Sequence, residues 1–320
     1  MEFYRSTLLQ DVTPAADGTR DDELPVNPMS HLIFTIKALN NGANTKATLA
    51  QLLGALEQIQ VIRKSQTIFD MRAADLHALN CVLLKREPWQ ENVINLDNAV
   101  RAVSLIVPFG RRLFDPMECL PATPKGELTL HTQFDIADTG YDGLILQVET
   151  CELMGATPKN FIRAVTSTHT PSATGDSDAD LTIGDKYLGI LLFATTIYTG
   201  TAWTNTIERL TILKDGREWY YRQTNWESLH GELINRLSPA NAWAEKFHRE
   251  NTATAYTANA DTATEEQDDS DISNYAYVDF DPLGDDKYIA DTKAASRVQL
   301  RFDAGDTNAI RFIPVQLIGV

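Results

Sequence analysis

The chain has 320 residues, 43% of them hydrophobic and 22% charged, which gives it enough apolar side chains for a real core and enough length for two ordinary domains. Its formal charge is −16, and its Lys and Arg residues are scattered in pairs such as Arg63-Lys64, Lys85-Arg86 and Arg111-Arg112. Neutralising phosphates needs a concentrated basic surface, so direct, sequence-specific nucleic-acid binding is not expected.

The start, Met1-Glu2-Phe3-Tyr4-Arg5, carries an early acid and no sustained apolar stretch. It reads as neither signal peptide nor anchor, and a protein soluble when made is expected. Leu56 to Arg63 alternates apolar and polar residues as a strand does; a short turn and a second strand around Thr67-Ile68-Phe69 follow. Asp75-Leu76-His77-Ala78-Leu79-Asn80 reads as helix. Between residues 128 and 136, Leu128, Leu130, Thr132, Phe134 and Ile136 face one way and Thr129, His131, Gln133 and Asp135 the other. A period of two with one polar face marks a strand of an antiparallel sheet with one side buried. Leu144 to Cys151 follows as a last strand, antiparallel to the one before it. Residues 156–183 read as an acidic, Ser/Thr-rich linker. Tyr187 to Tyr198 is the longest apolar run, too short to span a bilayer as a helix, and reads as a buried strand.

The second half repeats these features. Ile207 to Lys214 is a strand, and Asp215-Gly216 is a hairpin signal because a two-residue turn needs positive φ. A helix is predicted from Thr224, whose spacing to Glu227 fits a capping box, and another from Ser238-Pro239. Asn251 to Ile272 is polar and acidic, with Asp261 to Asp271 carrying no apolar side chain larger than alanine; it reads as an exposed insertion. Strands at Val298 to Asp303 and Ile310 to Ile318 close the chain.

Read together, these elements are two copies of one design. Leu56 to Arg63 corresponds to Ile207 to Lys214 at an offset of 151, and Leu76 and Leu79 correspond to Trp226 and Leu229. Val107-Pro108-Phe109 corresponds to Val278-Asp279-Phe280 at 171, and Phe134 to Thr139 corresponds to Phe302 to Thr307 at 168. The jump in offset is about the length of the acidic insertion. The fold class is therefore all-β with a few short helices: two tandem β-sandwiches or barrels, residues 1–155 and 184–320.

The order strand, turn, strand, helix, as in Ile68-Phe69-Asp70-Met71-Arg72 before Asp75-Leu76-His77-Ala78-Leu79-Asn80, resembles the double jelly-roll major capsid proteins. These belong to tectivirus-like and corticovirus-like phages and to the wider lineage that includes adenoviruses. The resemblance covers nearly the whole chain and rests on organisation, with no invariant motif. It implies that the two halves are two tandem jelly-roll β-sandwiches. It also implies a homotrimer whose six jelly rolls make a pseudo-hexagonal tile, then a lattice of trimers with other capsid or penton proteins, usually over an internal viral membrane. The location it implies is the virion capsid, assembled in the host cytoplasm. It brings no catalytic residues.

The chemistry-bearing residues agree with a structural role. His31, His77, His131, His169, His230 and His248 show no ligand spacing, no Cys-x-x-Cys occurs, and the nucleophile-elbow, P-loop and dinucleotide motifs are missing. His131 falls on a polar strand face and His77 on a helix, where surface or interface roles are expected. Cys81, Cys119 and Cys151 are odd in number and far apart, as reduced, core-type residues are. Asp176, Asp178 and Asp180 are candidate metal ligands, because alternate carboxylates can converge on Ca²⁺. Leu181 and Tyr187 occupy the positions where an EF-hand needs Gly and Glu, so the segment is read as a linker, with a structural divalent cation as the alternative and no other cofactor. The alternative function is a tandem β-sandwich carbohydrate-binding or host-attachment protein, favoured by the aromatics Trp203, Trp219, Tyr220, Tyr221, Trp226 and Trp243. An enzyme is the reading with least support.

Overall fold

The computed structural model describes residues 2–14, 17–41, 48–91, 98–136, 140–197, 204–236 and 272–320, so the Ser238-Pro239 helix and nearly all of the acidic insertion lie outside the described residues. The chain falls into two compact units, Met1–Val165 with Ile318–Val320, and Thr166–Leu317.

Unit one contains β1 (Glu2–Val12), β2 (Gly18–Glu23), β3 (Met29–Asn40), α1 (Leu49–Gly54), β4 (Leu56–Arg63), β5 (Gln66–Met71), α2 (Ala73–Leu84), β6 (Gln90–Glu91), β7 (Val100–Pro108), β8 (Leu128–Phe134), β9 (Tyr141–Met154) and β10 (Asn160–Val165). Unit two contains β11 (Ser167–His169), β12 (Gly175–Leu181), β13 (Lys186–Ala194), β14 (Ile207–Lys214), β15 (Arg217–Glu218), β16 (Thr224–Asn225), α3 (Trp226–Ile234), β17 (Tyr275–Asp279), β18 (Ala290–Asp291), β19 (Val298–Ala304) and β20 (Ile310–Gly319).

In unit one the sheets run β1-β9-β3-β7-β6 and β10-β5-β4-β8-β2. In unit two, β11, β20, β13 and β17 pair in that order, and the other sheet runs β12-β19-β14-β15. The winding is the same in both: β1, β9, β3 and β7 correspond to β11, β20, β13 and β17, and β2, β8, β4 and β5 to β12, β19, β14 and β15, while β10 is additional to unit one. Each unit is a jelly roll, as the resemblance implied. The last of the shared strands, β9 and β20, however, sits in the opposite sheet from the strand before it. β9 pairs with β1 and β3 and not with β8; a rolled-up hairpin carries the chain across the sandwich at that corner.

Burial follows the predicted alternation. Leu128, Leu130, Thr132 and Phe134 are buried along β8, and Val298, Leu300, Phe302 and Ala304 along β19. In unit two both sheets and the helix feed one cluster containing Leu192, Leu210, Trp226, Val278, Phe302 and Phe312.

The two rolls share finer features. The β4–β8 register shifts between Leu56 and Gln58, and the β14–β19 register shifts between Ile207 and Arg209, so the irregularity falls on Glu57 and Glu208, the offset of 151 again. Both hairpins after these strands are two-residue turns with positive φ throughout: Lys64 (48°) and Ser65 (63°), Asp215 (52°) and Gly216 (75°). That is the turn whose twist matches the flanking strands. Phe109 N–H donates to Ser30 O at 3.1 Å and Phe280 N–H to Leu188 O at 2.8 Å, which supports the offset of 171.

One alignment slips. Val61 faces Leu130 and Ile212 faces Leu300, so the true offset between β8 and β19 is 170 and Phe302 answers Thr132, with Phe134 answering Ala304. A slip of two preserves the face of every side chain, and alternation alone cannot detect it.

Three further readings are corrected. Residues 156–183 are no linker, because β10, β11 and β12 occupy them. Thr224 caps nothing: it pairs with Leu210 in β16, and the helix starts at Trp226 after Asn225, with no side-chain cap. The helix α1, overlooked in the sequence, carries a full capping box between Thr48 and Gln51.

Phe134 is 4% exposed and Phe302 0%. Truncating either to alanine is expected to cost ~3–5 kcal/mol in urea unfolding. A loss under ~1 kcal/mol at either site would place that ring outside its core.

Candidate functional site

The three candidate metal ligands lie on β12. Residues two apart share a face of a strand, and here that face is the exterior: Asp176, Asp178 and Asp180 are exposed while Ala179 and Leu181 turn inward. Their neighbour across the ladder is β19, whose outward residues include Arg301 and Asp303. Arg301 grips Asp178 with both arms, Nε to Oδ1 at 2.7 Å and Nη2 to Oδ2 at 2.9 Å. Arg297 holds Asp180 in the same way at 2.8 and 3.2 Å, and Asp176 reaches Arg301 Nη1 only at 3.9 Å. On the next strand, Arg209 of β14 binds Asp303 Oδ2 through Nε at 2.9 Å and Nη2 at 2.6 Å.

The guanidinium of Arg301 holds the Asp178 carboxyl below its ordinary range, and Arg297 does the same for Asp180. The carboxylates are thus charged and neutralised by arginine, which leaves their lone pairs facing planar cations. Among the described residues no group of three His, Cys, Asp or Glu side chains could hold a metal ion. Periodicity had marked the outward face of β19, but the register that sets Arg301 opposite Asp178 comes from strand pairing alone. Chelator is expected to leave the calorimetric unfolding temperature unchanged in the native protein and in the triple Asp→Asn variant at these positions. A drop confined to the native protein would restore the cation.

The histidines split by burial. His131 fits its strand reading, with Nδ1 2.7 Å from Asp21 Oδ1. His77 does not: it is 2% exposed, and neither ring nitrogen has a hydrogen-bond partner. Burial pushes its pKa down to about 4, since the interior penalises the charged form. His31, 3% exposed, is also pushed down to about 4, by burial first and by the Arg5 charge second. His230 Nδ1–H donates to Tyr275 O, 2.7 Å away, and so ties α3 to β17. Asn80 of α2 bonds both backbone groups of Ile106 in β7, at 2.6 and 2.7 Å, an equivalent tie in unit one. His248, Trp203 and Trp243 lie outside the described residues. Cys81, Cys119 and Cys151 are buried and none is in a disulfide, as expected.

A neutral buried His77 favours the fold fully above its unfolded pKa near 6.5, and that contribution is lost as pH falls towards 4. The shift corresponds to about 3 kcal/mol. The replacement His77→Leu should therefore gain on the native protein as pH falls from 7 to 4.5 in urea titrations. Parallel stability curves for the two proteins would show that His77 does not titrate between folded and unfolded states.

No protein-family model and no curated protein matches this chain. Solved structures do. The major capsid protein P2 of bacteriophage PM2 superposes with a TM-score of 0.63 at 12% identity, over 100% of this chain and 98% of that one. The major capsid protein of STIV, the Sulfolobus turreted icosahedral virus, gives 0.66 at 12% identity, over 99% and 97%. The chain has the double jelly-roll fold. A PBCV-1 virus capsid chain matches more distantly, with 0.55 at 9% identity over 99% and 94%. The double jelly roll here is matched from end to end and at nearly equal length, so neither roll is an addition peculiar to this chain.

Proposed function

We propose that the chain is the major capsid protein of an icosahedral virus, located in the virion and assembled in the host cytoplasm. The observation that carries this reading is the whole-length likeness to capsid proteins of PM2 and STIV, 98% and 97% of which are covered. Two equivalent rolls in one chain supply a physical reason. A ring of three chains presents six similar sandwiches, which approximates a hexagonal tile, and closed cyclic symmetry is the common route to homo-oligomers. The expected partners are two further copies of the chain, then neighbouring trimers, penton or other minor capsid proteins, and an internal membrane beneath the shell. The role is structural, with no reaction to catalyse. The alternative of a tandem carbohydrate-binding or host-attachment protein finds no counterpart among these structures.

Native mass spectrometry of the expressed chain should give a trimer, and electron microscopy of assembled material should give a lattice of pseudo-hexagonal units. Monomer alone at micromolar concentration, with no ordered lattice, would remove the shell assignment.

A further inference from the structure

The duplication allows one sheet face to be compared with its own counterpart. In unit one, β5 stays on β4 from Gln66 to Met71. The Asp70 carboxylate there takes hydrogen bonds from Gln58 Nε2 at 2.8 Å and Gln60 Nε2 at 3.3 Å, which closes the outer face. At the offset of 151, Gln58 and Gln60 become Arg209 and Thr211 in unit two. There the regular ladder of the strand corresponding to β5 stops at Glu218, although Trp219 N–H still donates to Ile212 O at 2.8 Å and Tyr221 O still accepts from Ile212 N–H at 2.9 Å. The backbone bulges through residues 219–223, with positive φ at two non-glycine residues, Tyr220 (59°) and Gln223 (46°), and resumes regular pairing with β14 at Thr224. No residue of β5 has positive φ. Left-handed backbone at bulky residues is strained, and such strain is retained where surrounding structure holds it for a purpose.

Beside this bulge a cleft of about 290 Å³ lies on the outer face of the sheet. Asp176, Arg209, Glu218, Gln223, Arg301 and Asp303 bring polar groups to it, and Leu213 lines it as its large apolar side chain. The lining is more polar than apolar, so an apolar ligand has little to bury against. Two guanidinium groups face three carboxylates, a balance that favours neither a free anion nor a free cation. Asp176 lies 3.9 Å from Arg301, beyond hydrogen-bond reach. A hydroxyl group both donates and accepts, and can bridge such a pair without displacing either member. Adjacent hydroxyls on a rigid ring would meet the Arg209–Asp303 pair and the Gln223 amide in the same way.

We propose that this cleft in the second jelly roll is a binding site for one ring of a neutral saccharide. The site belongs to the outward face of the β12-β19-β14 sheet of that roll and does not rest on the shell assignment. Saturation-transfer NMR and calorimetry on the full chain would use methyl glycosides of glucose, galactose, mannose and N-acetylglucosamine as probes, with inorganic phosphate and N-acetylneuraminate as charged comparisons. Saturable binding of at least one neutral glycoside is expected, with a dissociation constant of roughly 1 mM. The exposed substitutions Asp176→Asn and Gln223→Ala should each weaken it about tenfold without moving the unfolding temperature. Gln60→Ala, on the matching face of the first roll, should leave it unchanged. No saturable binding of any neutral glycoside, binding only of phosphate or N-acetylneuraminate, or binding indifferent to both cleft variants would overturn the site. Oligomeric state is read separately by mass, so a failed sugar titration leaves a trimer standing and a monomer leaves a successful titration standing.

Discussion

A sheet can bury only one face in a two-layer sandwich, so every strand of both rolls has to turn alternate side chains inward, and the other features of the chain follow from how that demand is met. Phe302 and Leu300 lie fully inside unit two, while Arg301 between them stays at the surface. Each buried side chain of this size contributes roughly 1.5–3 kcal/mol, and no outward ion pair approaches that, since exposed pairs are worth ~0–1 kcal/mol. The inward face is therefore the part of the sequence with least freedom. Where backbones must approach closely the restriction extends to single positions. A Cβ on Gly189 would lie 2.0 Å from the Tyr277 hydroxyl and 2.6 Å from Val278 O, so β13 tolerates no side chain where β17 crosses it.

The outward face has the opposite character. A chain with a formal charge of −16 would repel itself strongly if its acids stood alone. Along β12 they do not: the ladder register delivers arginines from β19 and its approach to the carboxylates of Asp178 and Asp180. These pairs add little net stability, but they favour one register beside β12, since a slip of two residues in one direction would set Asp178 opposite Asp303 in place of Arg301. Spacing on one strand suggested a cation site, and pairing between two strands sets arginine against two of its three carboxylates.

That contrast also explains what could be read in advance. The strand at Leu56 to Arg63 and its copy at Ile207 to Lys214 were legible because alternation, a two-residue turn and a following helix all agreed. The hairpin at Asp215-Gly216 carries its own chemistry, whereas Lys64-Ser65 adopts the same left-handed turn with no residue that announces it. The equivalence of β8 and β19 was misjudged by two residues because burial repeats every two. β12 was mistaken for a linker because a strand that is acidic on one side and short of apolar residues on the other has the composition of a loop. The burial of His77 had no signal at all, since an amphipathic helix and one enclosed on all sides differ in their surroundings and not in their spacing. The bulge beside the cleft in unit two depends on left-handed backbone at Tyr220 and Gln223, which no residue of β14 records.

The long reach of β1 has a consequence for how the chain comes to be made. Glu2 lies opposite Met154, and Ser6 opposite Thr150, so the first strand of unit one waits for almost the last before its sheet can close. Pairings that distant are slow to form, because the loop entropy is spent before any contact repays it. During synthesis β1 would emerge with an open edge, and would stay so until β9 had left the ribosome. In the second unit β11 spans only Ser167–His169, and Ser167 lies opposite Phe312. Its waiting strand is far shorter, and presents correspondingly little edge to a neighbouring nascent chain.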